Sequence, residues 1–411
     1  MRKHFQCEED RMKWKRKIRV VLLLLVIVFV MLPFMEEDFC GAPVKTNMFH
    51  GDWTHICDIG EIEQTALERQ REVQRLNRYV TELLDSMTLE EKLAQMMILT
   101  NEKDITEQTL AVYQPGGVIF FGKDFKGKTE KQVKERVDAM QLTVDIPLFV
   151  GIDEEGGEVS RIAGMKGNVP VFESARVLYE TGGVEAVRKE TEKKAVFLKK
   201  MGINLNFDPV ADVVGKEASY MYNRAASGDA ECVAEYVEAV VAGQQKENMG
   251  CCLKHFPGYG ENQNTHISYA VDGRKLTAYR EKDFIPFARG IVAGADMVMV
   301  SHIVMQAVDK TSPASLSKKV HRLLREEMEF DRVIIADDLN MKAILNEMTL
   351  EKATEEALVA GNDMIFSADL EASMKGAKAA VEKGRLSQQQ IDESVTRIIK
   401  MKINRGLVKV P

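Results

Sequence analysis

The stretch CLKHFPGYGENQNTH, Cys252–His266, begins as an apolar strand and turns within three residues to Lys254 and His255, then to loop formers Pro257, Gly258 and Gly260. Unpaired charge at the end of a buried strand either neutralises or destabilises the fold. Such a strand is expected where its C-terminal end opens onto a surface that uses the charge.

Seven more short apolar runs match it: QMMILT (95–100), GVIFF (117–121), PLFVGID (147–153), INLNFDPVADV (203–213), ADMVMVSHI (295–303), RVIIADD (332–338) and NDMIFSAD (362–369). Helical periods lie between most of them, as in EKQVKERVDAMQL, GGVEAVRKETEKKAVFLKKM, DAECVAEYVEAVVAGQQKEN and TLEKATEEALVAG. Near-continuous apolar strands alternating with helices call for a parallel sheet covered on its faces. Eight such units predict an α/β fold, a (β/α)8 TIM-type barrel over residues 87–411, with a doubly wound open sheet as the alternative. In a barrel the C-terminal strand ends form the site, and here six of the eight end in ionisable or hydroxyl groups: IDEEGG, NFDPVAD, KHFPG, SHI, ADD and SAD. Water-facing polarity accounts for any one of these ends; six meeting on one rim point to a site.

The N-terminus has a different character. Eight Lys and Arg residues in segment 1–19 precede the uncharged run VVLLLLVIVFVMLPFM, Val20–Met35. Sixteen residues of helix span roughly 24 Å, against about 30 Å for a bilayer core, so a single-span anchor and a cleaved signal segment both fit. No small-x-small cleavage pattern comes after it, which favours a transmembrane anchor with a cytoplasmic N-terminus and the barrel outside. Residues 36–86 read as a linker and a membrane-proximal helix carrying Val73, Leu76, Val80 and Leu83 on one face, and TLEE at Thr88–Glu91 is a capping box that opens the next helix.

Without residues 1–35, which hold eight Lys/Arg and three Asp/Glu, the body has 48 basic and 60 acidic side chains, a net charge of −12 that argues against nucleic acid. The six cysteines have no metal spacing, although Cys40 and Cys57 would share an extracytoplasmic compartment and are able to pair. There is no phosphate loop and no dinucleotide fingerprint. His255, His266 and His302 form no H-x-x-x-H or H-x-H pair, so neither a metal nor a cofactor is expected.

Five motifs in order resemble glycoside hydrolase family 3, in its single-domain β-N-acetylglucosaminidase branch. DEEGGEVSR is similar to DQEGGRVxR, GINLNFDPVADV to NxxxAPVxDV, NRAAS to NRSFG, KHFPGYG to KHFPGHG and IADDLNM to SDDLxM, over about residues 85–405. The resemblance implies a retaining hydrolase of β-linked N-acetylglucosamine, with cell-wall fragments as the expected glycan. Asp337 is then the nucleophile. Asp153, Arg161, Arg224, Lys254 and His255 hold the sugar, unless the two arginines only form salt bridges across the rim. Asp338 is expected to point elsewhere as a capping or structural carboxylate, because neighbours leaving a strand alternate in direction.

The proton donor implied by the resemblance is His266, on the loop after the fifth strand. The branch places an Asp two residues before that histidine, whereas this chain has Asn264 and a loop one residue shorter. An amide both donates and accepts, so it sets neither the tautomer nor the charge of the ring. In the serine-protease template that exchange lowers turnover about 10⁴-fold. Glu261 is a substitute partner, an acid in its own right, or a solvated loop carboxylate. Tyr259 stands where the branch has a second His and Glu158 where it has an Arg, which reverses a charge near the pocket. Two other readings stay open: a sugar-binding homologue with weakened or no turnover, and a β-glucosidase of the same family, disfavoured because no second domain comes after the eighth strand.

Overall fold

The computed structural model describes residues 59–100, 105–260 and 270–411. The expected span at 20–35, with Cys40 and Cys57, lies outside them, as do Glu261, Asn264 and His266. No helix among the described residues is long and apolar enough to cross a membrane. The chain divides into two units, residues 1–68 and 69–411, and the barrel belongs to the second.

All eight expected strands form: β1 (Met97–Leu99), β2 (Gly117–Phe120), β3 (Phe149–Ile152), β4 (Leu205–Asn206), β5 (Gly250–Phe256), β7 (Met297–Val300), β9 (Val333–Ala336) and β10 (Ile365–Ser367). They pair in parallel in the order β10-β1-β2-β3-β4-β5-β7-β9. A single bridge, Ile335 opposite Met364, joins the two ends, and Met364 N–H donates to the Ile334 carbonyl at 3.1 Å. The sheet is thus a nearly closed eight-stranded barrel, and the open-sheet alternative is set aside. The extra pair β6 (Ala270–Asp272) and β8 (Ile303–Met305) lies outside the barrel as a two-stranded parallel ribbon that the sequence did not announce. Each of its strands has only three residues, too short a run to show a period.

The helices obey their sequence signals. Thr88 caps the helix Leu89–Gln95 through a reciprocal box, Glu91 N–H to Thr88 Oγ1 at 3.2 Å and Thr88 N–H to Glu91 Oε2 at 2.7 Å, an arrangement worth about 1 kcal/mol. The helix Ile59–Ser86 turns Val80 and Leu84 into the core, while Val73 is exposed, so its buried stripe is shorter than the expected one. The helix written GGVEAVRKETEKKAVFLKKM begins earlier, at Ala175, and breaks at Gly183, whose φ of 62° is left-handed.

Strand interiors are filled with Ile, Val, Phe and Met, and Gly151 on β3 leaves space for the Phe207 ring, 2.6 Å from where a Cβ would stand. At the N-terminal end of the barrel the C-terminal helix Gln388–Asn404 inserts Lys402, wholly buried. Its ammonium donates to Gln95 Oε1 at 2.8 Å and stands 5.2 Å from the centre of the Phe149 ring. No carboxylate pairs with it among the described residues, and burial pushes its pKa down to about 7.

A lysine at 10.4 in the unfolded chain and about 7 in the folded one lets the unfolded state bind more protons between those values, so stability rises with pH across that window. Melting temperature is expected to climb by about 2 °C per pH unit from pH 7.5 to 9.5, and Lys402→Met is expected to remove that climb, as read by calorimetry across the series. An identical slope in the variant would show that Lys402 does not titrate in this range.

Candidate active site

The β3 end supplies Asp153, Glu154 and Glu155, which alternate in direction as strand residues do. Asp153 and Glu155 line a cavity of about 280 Å³ at the barrel mouth. Glu154 turns away; its Oε2 accepts the N–H groups of Arg161 at 2.8 Å and Ile162 at 3.3 Å. The turn needs Gly156, with φ of 96° and a would-be Cβ only 2.2 Å from the Glu173 carbonyl.

Lys254, leaving β5, reaches both lining carboxylates, Asp153 Oδ1 at 2.8 Å and Glu155 Oε1 at 2.7 Å. Arg224 clasps Glu155 in a fork, Nε to Oε2 at 2.8 Å and Nη2 to Oε1 at 2.7 Å. Arg161 approaches Asp153 more loosely, at 3.4 Å. Burial opposes ionisation of every group here, but the pairing outweighs it. Glu155 lies far below the usual carboxylate range because Arg224 and Lys254 face it, Asp153 is lowered by Lys254 and Arg161, and Lys254 is raised by Asp153 and Glu155. The pairing thus favours the charged forms of Asp153, Glu155 and Lys254.

His255 is fixed from behind. Asp212 Oδ2 accepts from its Nδ1 at 2.8 Å and from its backbone N–H at 3.2 Å, while Asp212 Oδ1 accepts the Tyr259 N–H at 2.6 Å. The ring therefore presents Nε2, 3.5 Å from Arg224 Nη2. Tyr259 is buried, with its ring edge-on to His255 at 5.1 Å and to Tyr220 at 5.5 Å, so it packs behind the His255 ring without lining the cavity.

Asp337 is the first residue beyond β9; its N–H donates to the Val300 carbonyl at 2.9 Å and its Oδ1 accepts the Asp338 N–H at 2.9 Å. Asp338 also lines the cavity, and its Oδ1 caps the turn beyond it through Asn340 N–H at 2.9 Å. Burial raises its pKa to about 6, against that cap and with Asp337 and Asp153 adding to the rise. Glu158 is at the rim, where it accepts a hydrogen bond from Asn223, the neighbour of Arg224.

The six expected residues Asp153, Arg161, Arg224, Lys254, His255 and Asp337 thus line one cavity. Sequence reading missed Glu155 and Asp212 as partners, although both stand inside quoted motifs. What hid them is that a run such as DEE does not say which carboxylate faces in. Among the described residues no three His, Cys, Asp or Glu side chains are grouped to hold a metal ion. A larger groove of about 740 Å³ lies at the other end of the barrel, where Asp296 and Arg332 precede β7 and β9, and takes no part in this cluster.

The glycosyl hydrolase family 3 N-terminal domain model matches residues 88–401. The chain belongs to that family. A β-hexosaminidase of Nitrosomonas eutropha is 30% identical over 291 residues, 68% of this chain and 83% of the relative. One from Xanthomonas campestris is 32% identical over 255 residues, 61% and 76% of the two chains. Among solved structures, a family 3 β-N-acetylglucosaminidase from Paenibacillus aligns with TM-score 0.74 and 28% identity over 78% of this chain. This chain spans 63% of that longer protein. LpqI of M. tuberculosis aligns with TM-score 0.72 and 26% identity over 79% of this chain and 96% of its own.

The buried ion cluster sets an order of stability costs. Glu155→Gln strands Arg224 and leaves Lys254 with Asp153 alone, and is expected to lower unfolding free energy by about 3–5 kcal/mol. Arg161→Gln, at a looser and more exposed pair, is expected to cost under about 1 kcal/mol. Urea unfolding of the two variants checks the difference, and equal costs would show that Glu155 is not the hub.

Proposed function

We propose that this family 3 glycoside hydrolase is a retaining β-N-acetylhexosaminidase that removes β-linked N-acetylglucosamine. Asp337 in one cavity with Asp153, Arg161, Arg224, Lys254 and His255 is the observation that carries the reading, and the β-hexosaminidase names of the curated relatives agree with it. The charged pairs offer donors and acceptors already in place for sugar hydroxyls, so binding orients the ring without rebuilding the site. The Asp337 carboxylate attacks the anomeric carbon as the glycosidic C–O bond breaks, and protonated His266 gives its proton to the leaving oxygen. Neutral His266 then takes a proton from water, whose oxygen displaces Asp337 and restores both groups. The site calls for no cofactor.

The uncharged run 20–35 would hold the enzyme to the membrane with its barrel on the outer side, within reach of peptidoglycan-derived fragments. If the run is cleaved, the enzyme is secreted. A second reading, a sugar-binding homologue with weak or no turnover, draws on Asn264. Glu158 bears on the glycan: its carboxylate at the rim disfavours an anionic group on the leaving side and favours a neutral one.

Hydrolysis of a chromogenic β-N-acetylglucosaminide by the full chain is expected to vanish in Asp337→Ala and to fall steeply in His266→Ala. Asn264→Asp is expected to raise kcat by about 10²-fold or more by supplying the missing charge beside the imidazole. Robust turnover in Asp337→Ala would remove the nucleophile assignment, and a wild type that binds N-acetylglucosamine without turnover would favour the second reading. Separately, Glu158→Arg is expected to raise kcat/KM about tenfold for glycans carrying a carboxylate on the leaving sugar over neutral ones; an unchanged ratio would exclude Glu158 from selection.

A further inference from the structure

His302 lies between β7 and β8 and is fully buried, yet it belongs to neither the ion cluster nor any metal site among the described residues. Its Nε2 is 3.0 Å from the Asp338 carbonyl oxygen and its Nδ1 2.7 Å from Ser315 Oγ. A carbonyl has no proton to give, so Nε2 carries the hydrogen. In the neutral ring Nδ1 then accepts, and the Ser315 hydroxyl donates to it. Ser315 is itself tied down: its N–H donates to the Ser301 carbonyl at 2.9 Å, and its carbonyl accepts from Asn362 Nδ2 at 2.7 Å.

The Asp338 main chain receives this restraint and passes it on. Its carbonyl is held by His302 and by Met341 N–H, the latter at 3.0 Å, while its own N–H donates to Asp337 Oδ1. Turning the Asp338 backbone would break the link to Asp337 Oδ1 and let that carboxylate rotate.

We infer that His302, oriented by Ser315, is a positioning residue for this hydrolase: through the Asp338 main chain it fixes the rotation of the Asp337 carboxylate. The inference rests on the proposed role of Asp337 as nucleophile. It concerns geometry at the reacting atom and leaves sugar affinity untouched, since His302 does not line the cavity.

The test compares full-length wild type, His302→Leu, His302→Gln and Asp337→Ala on a chromogenic β-N-acetylglucosaminide, with melting temperature and the inactivation rate by a fluorosugar that traps the glycosyl-enzyme. Misplacing a reacting group by about 1 Å costs up to 10²-fold. His302→Leu is thus expected to lose about 30- to 100-fold in kcat, with KM within about threefold and trapping slowed in parallel. His302→Gln, whose amide reaches the same carbonyl, is expected to recover most of the rate. If His302→Leu does not fold, His302→Asn, too short to reach that carbonyl, takes its place. Wild-type kcat in the leucine or asparagine variant, or a folded glutamine variant as slow as either, overturns the inference while Asp337 stands. Turnover in Asp337→Ala, or none in wild type, removes the nucleophile reading and this inference with it.

Discussion

The Lys254 ammonium, sealed between Asp153 and Glu155 at the barrel mouth, is the contact on which the site depends. A lone cation there would lose its proton or open the fold, and two lone carboxylates would repel each other. Together with Arg224 on Glu155 they balance: two positive and two negative groups inside one small cavity. The parallel barrel makes this possible because neighbouring strands, β3 and β5 through β4, deliver their ends to the same rim. Under the proposed function, a neutral sugar entering such a cavity meets donors and acceptors that these pairs already hold in place.

Behind this layer is a second one. Lys194 donates to the Glu155 carbonyl at 2.8 Å and stands 3.9 Å from Asp208 Oδ2, so one lysine serves the back of the site. Burial lifts Asp208 to about 6, with Lys194 opposing and Glu155 adding to the rise. The two layers respond to acid in opposite senses. Asp208 is raised, so the folded state takes up its proton first and gains stability as pH falls through about 6. Glu155 is depressed, so its contribution is present above the unfolded carboxylate value and is lost only in strong acid. Mild acidity therefore protonates Asp208 while Glu155 keeps its charge.

The architecture was readable because its signals are repetitive: eight apolar runs, helical periods between most of them and ionisable or hydroxyl groups at the end of six. What escaped was whatever depends on the direction of a single side chain. DEEGG announces three carboxylates, but only the β3 pleat makes Asp153 and Glu155 neighbours of Lys254 and turns Glu154 onto the amides of Arg161 and Ile162. His302 read only as one of the polar strand ends without a metal pairing, because its partners are a main-chain carbonyl 36 residues away and a serine 13 residues away. Tyr259 read only as standing in place of a second His, and its burial against His255 and Tyr220 shows it as packing behind the His255 ring.

The departures from the family pattern fall unevenly across the site, and the fold explains why. Asp153, Lys254, His255 and Asp337 leave strand ends, where each is tied to at least one other element; altering any of them disturbs several ion pairs or main-chain bonds at once. Asn264 and Glu158 stand away from the strand ends, one in the segment between β5 and β6 and the other on the rim. Under the proposed mechanism those are the positions that meet the leaving group. The half of the reaction that grips the sugar and attacks its anomeric carbon is thus bound to the packing of the barrel. The half assigned to choosing and protonating the leaving group carries Asn264 and Glu158, while Tyr259, the other departure, is packed against His255.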